Sequence, residues 1–205
     1  MSGLAAVIVA GGRSSRMGGG DKCLLEIAGR PMLAHVIDRI GPTADLVAIN
    51  ANGDPARFAA FALPVIGDNS ATFDGPLAGV FAAMNWAQNL GFDRVLTAAA
   101  DTPFFPRDLA ARLARAARPP TIAVAASRGR LHPAFALWPT ALAREVEDQL
   151  ATGQRRLGSF IDNHASIRVD VTDTVLDGES VDPFFNVNTP QDLAEARLIA
   201  DRLAP

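Results

Sequence analysis

Residues 11–22 crowd five glycines, two serines and three cationic side chains into one stretch: Gly11-Gly12-Arg13-Ser14-Ser15-Arg16-Met17-Gly18-Gly19-Gly20-Asp21-Lys22. That composition suits a polyanion. Glycines let the main chain approach a ligand closely and adopt positive φ. Free N–H groups in such a loop make a concave anion site. Arginine and lysine then add full charge, arginine with a fork that matches phosphate oxygens. Two familiar phosphate loops are excluded. No Gly-Lys dipeptide occurs, so there is no P-loop, and Gly18-Gly19-Gly20 runs into Asp21-Lys22-Cys23 instead of completing G-x-G-x-x-G. The plain alternative is a glycine turn after a buried strand. Lys22 and Arg16 are the candidate phosphate contacts, Lys22 because the apolar segment after it can pack its stem; Arg13 reads as a solvated loop charge.

Further candidates lie downstream. Asp101 directly follows an apolar stretch, where a carboxylate suits Mg²⁺ shared with nucleotide phosphates or an N-cap before Thr102-Pro103. Asp68, in Gly67-Asp68-Asn69, has a similar placement and an equally simple turn reading. Asn50 ends another apolar run and suits a base or ribose contact, or a turn. Asn186 and Asn188 precede Thr189-Pro190-Gln191-Asp192, where amides can bind a ligand or cap a helix. His132-Pro133 could touch a substrate, although a lone histidine beside a strand reads more simply as structural, and no catalytic role is given to it. Cys23 reads as a packed small apolar residue. No Ser–His–Asp or Cys–His nucleophile set is visible, which favours direct transfer over covalent catalysis.

These residues need elements to position them. Residues 4–10, 45–50, 63–66, 94–99, 121–126 and 167–171 read as strands, the fourth almost wholly apolar and hence central. Helical spacing appears at Leu33, Val36, Ile37 and Ile40; at Leu77, Val80, Phe81 and Met84; from Pro106 through Leu109 and Leu113; at Leu142, Val146 and Leu150; at Leu157, Phe160 and Ile161; and from Pro190 to Leu203. Residues 131–137 continue as an extended segment after a turn at 127–130. Strands alternating with helices predict a three-layer α/β/α sandwich with a mostly parallel, Rossmann-like sheet, in one domain spanning residues 1–205. Ligands in such sheets bind at the carboxyl ends of the strands. Residues 11–22, Asn50, Asp68 and Asp101 all follow strands, so they are expected at one edge.

Bulk properties narrow the class. With 49% apolar residues, 20% charged residues and a net charge of −3, the chain has an ordinary globular composition and no electrostatic case for nucleic acid or a membrane surface. The single cysteine fits a reducing, cytoplasmic setting and excludes an internal disulfide. No secretory signal is expected, since no basic region precedes the apolar stretch and it ends in Gly11-Gly12-Arg13 instead of an A-x-A site, and no apolar run approaches membrane-spanning length.

Ala10-Gly11-Gly12-x-Ser14-x-Arg16-Met17-Gly18-x-x-Asp21-Lys22-x-Leu24-Leu25, followed by Gly29-x-Pro31, resembles the nucleotidyltransferases that activate phosphorylated or sugar substrates. Gly75-Pro76-Leu77-Ala78-Gly79, Asp101-Thr102-Pro103-Phe104, His132-Pro133 and Phe185-Asn186-Val187-Asn188-Thr189-Pro190 extend the similarity to the molybdenum cofactor guanylyltransferases over nearly the whole chain. Val9 stands where that family usually has leucine. The resemblance implies transfer of GMP from GTP to the phosphate of molybdopterin, with Mg²⁺ as cofactor. It implies that Val9, Ala10, Gly11, Gly12 and Ser14 surround the nucleotide and that Asn50 and Asp68 contact it. Lys22 and Arg16 would hold phosphates, Asp101 would bind GTP and Mg²⁺, and Asn186 and Asn188 would lie near the pterin or metal. GTP and molybdopterin are the implied partners, with transient contact to proteins that deliver the cofactor or mature molybdoenzymes. Cytidylyl transfer to molybdopterin, transfer to a sugar phosphate, and a non-catalytic nucleotide-binding domain are the alternatives.

Overall fold

The computed structural model describes residues 3–11, 21–68 and 75–203. Strand β1 (Ala5–Val9) is followed by a small hairpin of β2 (Glu26–Ile27) and β3 (Arg30–Pro31), then helix α1 (Met32–Ile40). Next come β4 (Leu46–Asn50), β5 (Val65–Ile66), α2 (Pro76–Asn89), β6 (Arg94–Ala99) and α3 (Leu109–Ala116). The second half carries β7 (Ile122–Ser127), β8 (Arg130–Pro139), α4 (Ala143–Ala151), α5 (Leu157–Asp162), β9 (Ser166–Asp170), the hairpin β10 (Thr174–Leu176) and β11 (Glu179–Val181), and α6 (Pro190–Leu203).

Among the described residues the central sheet has the order β5-β4-β1-β6-β8-β7-β9. All its pairs are parallel except those of β8, which runs against both β6 and β7. The mostly parallel three-layer expectation therefore holds, with one strand reversed. The reversal follows from the turn at Arg128-Gly129, which takes φ of 46° and 78° and folds the chain straight back as a hairpin. Edge strand β5 is two residues long and follows Pro64; at the other edge, β9 is mostly exposed and carries Arg168 and Asp170.

Strand pleating divides the core. Ala5 and Val7 join the cluster formed with α2, α4 and α5, whereas Ala6 and Ile8 join that formed with α1 and α3. A third cluster seats α6, through Ala196, Ile199 and Ala200, against Ile27 and Met32. Helix α2 buries most of its length, from Leu77 to Met84, as an apolar segment enclosed by its neighbours must.

Two expectations shift. Helix α3 begins at Leu109, since Pro106, Arg107 and Asp108 form a turn in which Leu109 N–H bonds the Pro106 carbonyl at 3.1 Å. The strand read at 167–171 is followed by β10 and β11, which the sequence reading does not include. Among the described residues no helix is long and apolar enough to cross a membrane.

The chain runs outward from β1 through β4 to β5, then returns to place β6 on the other side of β1. Strand order thus reverses between β1 and β6, and a crevice opens at their carboxyl ends.

Candidate active site

Parallel pairing sets the floor of the crevice. Val9 is in register with Asn50 on one side and Ala99 on the other. The ladder extends one step further through Ala10 N–H to the Asn50 carbonyl (2.8 Å) and Ala100 N–H to the Val9 carbonyl (3.1 Å). Val9, Ala10, Gly11, Ala99, Ala100 and Asp101 therefore emerge side by side. Gly12, Ser14 and Arg16, assigned to the nucleotide from the sequence, lie outside the described residues.

Lys22 returns to this edge on a short 3-10 turn, Lys22–Leu24, anchored by buried Cys23. Its Nζ lies 2.5 Å from Asp101 Oδ2 and donates to Asn188 Oδ1 at 2.8 Å. The two charged side chains are 15% and 21% exposed, so the pair is sheltered yet open to the crevice. Burial, followed by the charge of Asp21, pushes the Cys23 thiol up to about 12, which leaves it a packing group. Preceding Lys22, Asp21 faces Arg57 at 2.7 Å, a pairing of charge without hydrogen-bond alignment at Nε.

Asp101 is held through its main chain, its carbonyl accepting from Val187 N–H at 3.0 Å. It caps no helix, since the residue before α3 is Asp108. Thr102 Oγ1 donates to Asp101 Oδ1 at 3.3 Å. The loop behind it is fastened by Arg39 of α1, whose Nε donates to the Pro103 carbonyl (2.6 Å) and Nη1 to the Phe105 carbonyl (2.8 Å). Burial, then the charge of Arg107, lowers the Arg39 pKa. Nothing in the sequence marks Arg39, because residue type cannot tell which carbonyls an arginine reaches.

Asn50 and Asp68 form a second group. Asn50 is 2% exposed, and its Nδ2 donates to the Ile66 carbonyl (3.2 Å) and to Asp68 Oδ1 (3.0 Å). Asn52 grips Asp68 twice, donating from Nδ2 to Oδ2 at 2.7 Å and accepting from Asp68 N–H at 2.8 Å. The remaining Asn50 oxygen faces Gly79 of α2, where an added Cβ would lie 2.7 Å away.

Two cavities meet at this edge. One is walled by Val9, Ala10, Gly11, Lys22 and Asp101, the other by Thr102, His132, Asp182, Phe185 and Asn188. Ala99, Ala134 and Asn186 belong to both, and the second has a volume of about 450 Å³. Lys22 lines the first and bonds Asn188 of the second. Its neighbour Thr189 starts α6: the Thr189 hydroxyl accepts from Asp192 N–H (3.1 Å), while the Asp192 carboxylate accepts from Asn188 and Thr189 N–H at 2.8 Å each. That capping box fits the Thr189-Pro190-Gln191-Asp192 signature.

The structure also joins Ser127, His132 and Asp182, which sequence inspection did not connect. Ser127 Oγ lies 2.8 Å from His132 Nε2 and donates to Asp182 Oδ1 at 2.9 Å. The serine sits between histidine and carboxylate, so the histidine does not draw its proton away as in a nucleophile triad.

Among the described residues no group of three or more His, Cys, Asp or Glu side chains could cage a metal ion. One carboxylate open to the crevice, with amides nearby, fits a Mg²⁺ whose other ligands are phosphate oxygens and water.

The sequence profile of the MobA-like NTP transferase domain matches residues 6–168. A molybdenum cofactor guanylyltransferase of Rhodopseudomonas palustris is 50% identical over 202 residues, covering 96% of this chain and 94% of its own. One from Mesorhizobium japonicum is 46% identical over 200 residues, covering 94% of each. Among solved structures, molybdopterin-guanine dinucleotide biosynthesis protein A from Archaeoglobus fulgidus superposes with a TM-score of 0.74 at 20% identity, over 97% of this chain and 99% of its own. A nucleotidyl transferase from Methanothermobacter superposes with a TM-score of 0.76 over the full length of both.

Proposed function

The chain belongs to the MobA-like NTP transferase family, and we propose that it is a molybdenum cofactor guanylyltransferase, as its relatives are named. It transfers GMP from GTP to the phosphate of molybdopterin. The observation that carries this reading is the pair of cavities sharing one wall, with Lys22 reaching from one to the other. A reaction between two phosphorylated substrates needs two sites that meet at the reacting phosphorus.

In the reaction, an oxygen of the molybdopterin phosphate bonds to the α-phosphorus of GTP while the α–β bridging bond breaks and pyrophosphate leaves. The nucleophile is already ionised at neutral pH, so no general base is required. What the protein must do is bring two anions together, align them and receive the negative charge that develops. The β1 and β6 ends carry the nucleotide, with Asn50 and Asp68 on its base and ribose side. Lys22 exchanges its contact with Asp101 for phosphate oxygens. Asn186 and Asn188 flank the attacking phosphate. Asp101 would hold Mg²⁺, which when bound supplies charge screening between the two phosphates. The setting is cytoplasmic, and transient contacts with proteins that deliver or receive the cofactor belong to the same reading.

Pyrophosphate release is measured with GTP, CTP, ATP and UTP, each with and without molybdopterin. Release with GTP only when molybdopterin is present is the expected outcome. Preference for CTP overturns the guanylyl assignment, and nucleotide binding without release overturns transferase activity. Loss of release on chelation, restored by Mg²⁺, tests the metal; activity unaffected by chelation refutes it.

A further inference from the structure

The sequence offers His132 as a structural residue or a substrate contact, and it stands in the wall of the second cavity. Its strand loses register there. Ala126 pairs with Leu131 and Val124 with Ala136, so the segment between Leu131 and Ala136 bulges from the ladder. Pro133 has no N–H to donate, which favours the departure. The freed imidazole stacks on Phe184, ring centroids 4.2 Å apart and planes 20° apart.

Hydrogen bonding fixes the tautomer. Asp182 is acceptor-only as a carboxylate, and its Oδ1 also takes Phe184 N–H at 2.9 Å. The Ser127 hydroxyl proton therefore points to Asp182. Ser127 Oγ can then only accept from His132, so Nε2 carries the hydrogen. Burial lowers the pKa of the ring, outweighing the opposing pull of Asp182, and so favours the neutral form. Nδ1 is left as a bare acceptor. It has no partner among the described residues, and it is not fully buried.

We propose that His132 is a specificity-determining residue for the second substrate, its Nδ1 accepting a hydrogen bond from an N–H on the donor edge of a pterin ring. The proposal rests on the guanylyl-transfer reading, which makes a pterin the occupant. A pterin carries an exocyclic amine and a ring N–H on one edge, the complement of a fixed acceptor. Its flat bicycle suits a cavity of about 450 Å³ that includes the Phe184 and Phe185 rings. The Ser127–Asp182 pair is the positioning device: it keeps the acceptor from becoming a donor.

The test uses the full chain. In protein carrying ¹⁵N-histidine, long-range ¹H–¹⁵N spectra should show His132 protonated at Nε2 and bare at Nδ1, the signals being assigned by their absence in His132→Gln. Saturating molybdopterin should move the Nδ1 resonance toward the hydrogen-bonded position. His132→Gln keeps an N–H for Ser127 and leaves nothing at the Nδ1 position. It should raise KM for molybdopterin about five- to tenfold, the worth of one hydrogen bond, with KM for GTP and kcat unchanged. A hydrogen on Nδ1, an unmoved Nδ1 signal or an unchanged molybdopterin KM overturns the role of His132. If wild-type protein releases no pyrophosphate from GTP and molybdopterin, the guanylyl-transfer reading itself fails, and the assignment to a pterin falls with it.

Discussion

Replacing Gly79 by alanine sets a local preference against a tertiary one. Gly79 lies inside α2, where alanine in place of glycine gains about 1 kcal/mol of helix propensity. The new Cβ would lie 2.7 Å from Asn50 Oδ1 and 3.2 Å from Val9 Cγ1. Asn50 is buried at the end of β4 and can yield only by rotating. Rotation breaks its bonds to the Ile66 carbonyl and to the Asp68 carboxylate, worth about 1 and about 2 kcal/mol respectively. The balance is a net loss of about 2 kcal/mol, or a Tm lower by about 4–8 °C for a chain of this size. Because Asp68 would lose a partner, KM for GTP should rise on the order of tenfold. Thermal unfolding by circular dichroism and steady-state kinetics read the two effects. In an Asn50→Ala background the same change meets no amide, and Tm should rise. A Tm increase in the single variant with an unchanged GTP KM would refute the reasoning, because helix propensity alone predicts that.

Lys22→Ala and Asp101→Asn should each lower kcat on the order of 10²–10³-fold with far-UV dichroism intact; near-normal turnover in either removes that residue from the chemistry. Thr97→Val strands the buried Trp138 indole N–H, which donates to Thr97 Oγ1 at 2.8 Å. The cost is about 1–3 kcal/mol, seen as a lower urea midpoint with an unchanged m-value; an unchanged midpoint counts against it. Burial, opposed by Asp182 and assisted by Arg130, sets the His132 pKa below its ordinary 6.5. Between that lowered value and 6.5 the unfolded chain binds more protons, so stability is full above the window and falls as pH falls through it. His132→Gln should flatten the slope of unfolding free energy against pH there, and an unaltered slope contradicts the assignment.

Much of the positioning was legible because strands that end in polar residues must place them at one edge. Asn50, Asp68 and Asp101 are legible that way, and Lys22 is legible from the glycine-rich stretch before it and the apolar segment after it. Lys22 carried a further signal: it is the only lysine among 19 basic residues. Where every other cation is arginine, a compact ammonium points to a site that needs a point charge. The reversal of β8 was less visible, since an extended segment after a two-residue turn does not declare its neighbour. The Ser127–His132–Asp182 grouping was hidden, because Asp182 is brought to Ser127 by the chain after β11 from 55 residues away. Arg39 was hidden for a similar reason, its partners being main-chain carbonyls 64 and 66 residues distant.

The two outer strands of the sheet bear on how copies of this protein meet one another. A free sheet edge offers unpaired N–H and C=O groups to any other chain, and long apolar edges invite aggregation. Here β5 offers two residues behind a proline, too short for another chain to extend. Strand β9 offers five, but Arg168 and Asp170 stand on it, joined to each other at 2.8 Å, and an incoming strand would have to dislodge or bury them. The seven-stranded layer that gathers the active-site residues is thus blunted at both ends, one by brevity and the other by charge.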